Sequence, residues 1–187
     1  MAMPHAIHIT GASGSGVTTL GRGLADATGA RQLDTDAFYW APVEPRYSIK
    51  HEIPERLRLI RAAMADAADQ GWILSGSIGT WGAPLTSLFQ LVIYISTPTE
   101  VRLSRLRDRE EAEFGHDAIA PGGVRHDGFE SFLEWASHYD EGTREGRSRL
   151  THAAFLAGLT CPVLRLDGTL PADELVRRTL AELTMPR

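Results

Sequence analysis

Residues Gly11 to Thr19 read GASGSGVTT, directly after a strand-like stretch, HAIHIT, from about His5 to Thr10. Gly11, Gly14 and Gly16 give this turn access to left-handed backbone that other residues avoid. A helix follows from about Val17 to Thr28, with Leu20, Leu24 and Ala27 at helical spacing and Gly29 placed to end it. The chain therefore begins strand, tight turn, helix. That unit buries itself only by crossing over to a parallel neighbour, which points to an α/β fold.

The same alternation continues. A short strand near Arg31 to Leu33 opens onto Asp34, Thr35 and Asp36. Residues Ala41 to Pro54 hold three prolines and read as irregular, and Glu55 to Gln70 reads as an amphipathic helix stopped by Gly71. Trp72 to Leu74 is a short apolar strand ending in Ser75, Gly76 and Ser77. Gln90 to Ile95 has the unbroken apolar character of a buried parallel strand. Pro98 suits the first turn of a helix to about Glu110. Glycines and a proline then interrupt Glu111 to Gly128, a candidate lid. Helices are expected near Phe129 to Tyr139 and Arg147 to Leu156, a last strand at Pro162 to Leu166, and a final helix from about Pro171 to Leu183. No repeat or linker divides the 187 residues, so one domain is expected.

The glycine turn matches the spacing G-x-x-x-x-G-K-[ST], in which backbone N–H groups and the helix N-terminus hold phosphate. Gly11 and Gly16 are in register and Thr18 takes the hydroxyl position. Val17 stands where the lysine belongs. The main-chain grip does not need that side chain, but charge on the outer phosphates does. Lys50 is the only lysine; arginine supplies the rest of the 19 basic residues. A substitute cation must therefore be Lys50, an arginine or a partner molecule.

Composition narrows the classes. The hydrophobic fraction, 43%, is ordinary for a soluble domain, and a net charge of −5 gives no generic affinity for nucleic acid. No apolar run is long enough to span a bilayer, and no signal-like segment opens the chain. The single cysteine, Cys161, excludes an internal disulfide and fits a cytoplasmic setting.

Four features together resemble the nucleoside-monophosphate-kinase branch of the P-loop proteins, which includes adenylate, shikimate and gluconate kinases. They are GASGSGVTT after the first strand, LDTD after the second, SGS after the third, and the arginine-bearing VRLSRLRDRE before the interrupted stretch. The resemblance looks closest to adenylate-kinase-related bacterial proteins. It implies a three-layer P-loop fold with a five-stranded parallel sheet in the order 2-3-1-4-5, helices on both faces, and a lid at about 111–128. It also implies ATP as donor, Mg²⁺, and a small-molecule acceptor held by a segment at about 34–54. Gly11, Ser13, Gly14, Ser15, Gly16, Val17, Thr18 and Thr19 match the nucleotide-binding loop, with Thr18 at the magnesium hydroxyl. Asp34 and Asp36 resemble the acidic pair that faces metal and acceptor, and Arg102, Arg105 and Arg109 resemble arginines flanking the lid. Ser75 departs from the pattern, standing where many relatives have an aspartate.

Each candidate has a plainer alternative. Asp34 and Asp36 share one side of an extended segment and lie at the carboxyl end of a strand, where open α/β sheets bind ligands; a turn or helix cap is the other reading. Arg102, Arg105 and Arg109 share a helix face suited to clamping phosphate, or simply to pairing with Glu110 and Glu113. Lys50 and Arg46 are candidates for acceptor contact or plain exposure. Phe38, Tyr39, Trp40, Trp81 and Trp135 are either pocket walls or packing, and Asp167 to Pro171 is a candidate base-side loop. The expectation is an ATP-dependent phosphotransferase with Asp34, Asp36, Arg105 and Arg109 as catalytic candidates. The alternative is a nucleotide-binding protein without turnover.

Overall fold

A computed structural model describes residues 5–44 and 47–184. Five parallel strands form one sheet: β1 (Ala6–Gly11), β2 (Arg31–Asp34), β3 (Trp72–Ser75), β4 (Leu91–Ser96) and β5 (Val163–Asp167). Their order is β2-β3-β1-β4-β5, the one that the resemblance implies. Register places Ile9 beside Ser75 and Ile93, and Asp34 beside Ser75, so the carboxyl ends of β1, β2 and β3 lie together.

The period-2 alternation of each strand separates two cores. Ile7, Ile9, Ile73, Leu91, Ile93 and Ile95 point to one face, where Leu20 and Leu24 of α1 (Val17–Thr28) and Leu175 of the last helix meet them. Leu74, Val92 and Tyr94 point to the other, against Ile60 and Met64 of α3 (Ile53–Asp66). A short helix, α2 (Asp36–Tyr39), follows β2 directly. Ala27 is exposed, so the buried stripe of α1 is Leu20 and Leu24 without it.

After β4 come α4 (Thr99–Phe114), α5 (His116–Ile119), α6 (His126–Ser137) and α7 (Arg149–Ala157), and β5 leads to α8 (Ala172–Thr184). One stretch differs from the sequence expectation, and a second, between β3 and β4, has no element assigned to it from sequence. The interrupted segment 111–128 is largely helical and packs back on α4. Leu106, Phe129 and Leu133 form a small third core there, and Arg125 pairs with Glu110 at 2.7 Å while covering the Phe114 ring. The SGS segment leads into a 3-10 turn, Ala83–Leu88, that buries Leu85. Arg46 lies outside the described residues.

β1 carries two polar side chains into the second core. His8 Nδ1 faces the Leu74 carbonyl at 3.0 Å, which only accepts, so this nitrogen carries the proton; Nε2 is buried without a partner. His152 of α7 joins the Thr10 hydroxyl at 3.3 Å to the Tyr139 hydroxyl at 2.6 Å, and Tyr139 meets Tyr94 at 2.9 Å. This chain of rings ties the strand that enters the glycine turn to α7 and the end of α6.

Candidate functional site

The glycine turn leaves β1 at Gly11 and enters α1 at Val17. Gly14 and Gly16 have φ of 80° and 97°, the left-handed region that favours glycine. A Cβ on Gly14 would lie 2.5 Å from the Arg102 carbonyl oxygen, so the turn is pressed onto α4 as tightly as glycine permits. The first hydrogen bond of α1 runs from Leu20 N to Gly16 O. The amides of Val17, Thr18 and Thr19 precede it, and no side chain caps this helix end. Ser15 Oγ is buried without a partner beneath the turn. Uncompensated donors around a left-handed cradle fit an anion, because they offer oriented N–H dipoles where the helix end is positive.

Arg102 explains how the turn holds its shape. It is fully buried. Nε donates to Thr97 O at 3.1 Å, Nη1 to Ala136 O at 3.1 Å and to Ser13 O at 3.4 Å, and Nη2 to Thr99 Oγ1 at 2.8 Å. Thr97 in turn donates to Ser15 O at 3.3 Å. Arg102 therefore braces the outside of the turn and does not share an open face with its helix neighbours. Arg105 is half-buried, donates to Gly168 O at 2.9 Å, and has Nη1 4.0 Å from where a Gly16 Cβ would stand. Arg109 is exposed.

The acidic pair is arranged differently from the sequence expectation. β2 ends at Asp34, Thr35 is helical in φ and ψ, and Asp36 is the first residue of α2. The segment is not extended, and the two residues are joined because Asp36 N donates to Asp34 Oδ1 at 3.0 Å. Both line a cavity of about 600 Å³ with Trp40, Val43 and Tyr47. Partial enclosure, then the charge of Asp34, raises the Asp36 pKa; Arg147 and Arg109 pull it back. The residue as a whole is exposed, so solvent screens these effects.

Other candidates divide. Trp40 is a cavity wall, whereas Phe38 packs on the second core. Tyr39 and Trp81 flank the Arg56 guanidinium, 3.9 Å and 5.5 Å from their ring centres. Trp135 donates to Glu145 O. Lys50 Nζ sits 5.6 Å from the Tyr39 and Trp40 ring centres, an exposed cation held on aromatic faces. Ser75 Oγ accepts from Gln32 Nε2 at 3.2 Å, and that amide also donates to Thr18 O at 3.2 Å, linking β3, β2 and the start of α1. Asp167 accepts from Thr169 N at 2.9 Å, which fixes the turn around Gly168.

Sequence reasoning missed Arg147, just ahead of α7. Its Nη1 donates to Ser13 Oγ at 3.2 Å, and its Nε is buried without a partner. Burial lowers its pKa, with the charge of Asp36 acting to raise it. No local pattern marks this residue, since it reaches the turn only through the fold.

A parallel sheet in this order, with a glycine cradle after β1 and carboxylates after β2, defines a protein of P-loop kinase fold. Solved structures agree. The chain superposes on a gluconokinase from Sinorhizobium meliloti 1021 with a TM-score of 0.53 at 19% identity, covering 98% of this chain and 93% of that one. An unliganded sugar kinase from Janibacter sp. HTCC2649 gives 0.51 at 22% identity over 95% and 93%. A shikimate kinase from Bacteroides thetaiotaomicron gives 0.50 at 18% over 97% and 99%. These likenesses establish the fold. No protein-family model matches the chain. The chain belongs to the same family as YqaC of Bacillus subtilis (strain 168), with 41% identity over 178 residues, 95% of this chain and 97% of that protein.

Proposed function

We infer that this protein is an ATP-dependent phosphotransferase of adenylate or nucleotide kinase type, acting on a small hydroxylated acceptor. The observation that carries the reading is the uncapped α1 N-terminus, with its left-handed glycines and partnerless Ser15 hydroxyl, on the same carboxyl edge of the sheet as Asp34 and Asp36, which line a cavity of their own after β2. The amides of Gly14 and of Gly16 to Thr19 hold the donor phosphates, the Ser15 amide between them being bonded to Ala12 O at 3.1 Å. Val17 occupies the lysine position of the motif, so the loop binds with main chain rather than with an ammonium. The Thr18 hydroxyl and the Asp34 carboxylate are the oxygens that would hold Mg²⁺, which supplies charge neutralisation on the phosphates when bound. Asp36 orients the acceptor hydroxyl and takes its proton, a role that its raised pKa suits. Arg105 and Arg109 approach from the helix before segment 111–128, which serves as the lid. Residues 34–54 form the acceptor side.

Incubation of the purified protein with labelled ATP, Mg²⁺ and a panel of hydroxylated acceptors tests this. At least one acceptor becomes labelled, and Asp36→Asn lowers that rate by roughly 10²- to 10⁴-fold while ATP still binds. Bound ATP with no labelled acceptor sinks the kinase reading. The apolar Val17 favours one second reading, a nucleotide-binding protein without turnover. Under that reading the native chain transfers nothing, and Val17→Lys gains transfer.

A further inference from the structure

Arg147 has features that the nucleotide-kinase reading does not use. Its guanidinium is half-buried and has, among the described residues, one hydrogen bond and no ion pair. Nε is fully enclosed and unpartnered. Taking a cation out of water without a counter-charge is costly, and such groups are ordinarily paired or meet a ligand. The charge of Asp36, ahead of those of Tyr139 and Tyr39, acts on it through space, so it lies within electrostatic range of the carboxylate at the start of α2. Its one bond reaches Ser13, in the first half of the glycine turn. The guanidinium thus touches the glycine turn at Ser13 and feels the charge of Asp36 through space.

We propose that Arg147 takes over the role of the missing lysine, meeting the γ-phosphoryl as it passes from the loop toward the acceptor beside Asp36. This rests on the nucleotide-kinase reading. In the step, the acceptor oxygen forms a bond to the γ-phosphorus and its proton moves to the Asp36 carboxylate. The bond from the γ-phosphorus to the β–γ bridging oxygen breaks, and its electron pair leaves on ADP. The planar fork of arginine contacts two equatorial oxygens at once, which a single ammonium does not. The charge comes from the loop before α7, whereas the motif lysine comes from α1. That difference in origin is why Val17 is tolerated.

The test compares affinities for ATP and ADP, since only ATP carries the group that Arg147 meets. With Mg²⁺ present, native protein binds ATP more tightly than ADP. Arg147→Gln lowers the ATP/ADP affinity ratio by roughly tenfold or more and leaves ADP affinity unchanged. Adding Val17→Lys to that variant restores the ratio, which a purely structural role for Arg147 would not allow. Should Arg147→Gln fail to fold, Ser13→Ala releases the guanidinium from the loop and lowers the same ratio by about severalfold. An unchanged ratio in folded Arg147→Gln, or in Ser13→Ala, overturns the proposal while nucleotide binding stands. Failure of the native chain to bind either nucleotide overturns the underlying reading as well.

Discussion

Arg102→Met should destabilise the protein by about 3–5 kcal/mol, because three carbonyls around a fully buried side chain lose their donor. The side chain is fully enclosed, so methionine fills much of its volume but donates nothing. Thr97 O, Ala136 O and Ser13 O each lose a donor. A buried acceptor left unpaired costs about 1–3 kcal/mol. Asp140, 3.5 Å from Arg102 Nη2, is not stranded by the change, because Arg149 pairs with it at 2.9 Å. For a chain of this size each kcal/mol lowers Tm by about 2–4 °C, so a fall of about 6–20 °C is expected. Arg102→Lys should lose nearly as much, because one ammonium cannot reach carbonyls on three sides. Thermal melts of both variants check this. A shift of less than about 2 °C would mean that the turn is braced by something else.

The second large effect is with acid. His8 and His152 are both held neutral in the fold, with pKa values lowered from 6.5 to about 4. Burial is the main cause for both; the charge of Arg147 adds to it at His152, and the hydrogen bond to Leu74 opposes it at His8. The unfolded chain protonates these rings first as pH falls below 6.5. Protons then favour unfolding, and stability declines until pH reaches the folded-state value near 4. Each pH unit of that window is worth about 1.4 kcal/mol per ring, so the pair removes up to about 3 kcal/mol each. Below pH 4 both states are protonated and this contribution levels off. Urea midpoints at pH 7 and pH 5 should differ clearly. Imidazole NMR should show two of the seven histidines still neutral well below pH 6. A flat stability profile between pH 7 and 5 would contradict the buried-ring arrangement.

Much of the fold was legible because it is local. Strand alternation, the glycine turn and the helix-ending Gly29 are properties of a few neighbouring residues, and the sheet order followed from the resemblance that they carry. What was illegible depends on distant packing. Spacing along α4 puts Arg102, Arg105 and Arg109 on related positions, yet burial against the turn takes Arg102 out of any ligand-facing set. Spacing by two residues puts Asp34 and Asp36 on one side only if the backbone is extended, and the helical Thr35 makes a turn there, closed by a hydrogen bond. Glycines in 111–128 suggested irregularity, but Gly115 and Gly122 take positive φ where the chain passes from one helix to the next. Arg147 carries no local signal. It matters only because α7 is packed so that the residue ahead of it reaches Ser13.

The central claim is that main-chain amides after β1 capture phosphate without an ammonium. Isothermal calorimetry of the native protein with ADP and with ATP, Mg²⁺ supplied, tests it most directly. The account predicts saturable binding of both nucleotides, lost in Gly14→Ala, whose Cβ would strike the Arg102 carbonyl. Absence of binding heat for either nucleotide up to about 1 mM, an affinity weaker than about −4 kcal/mol, would contradict it.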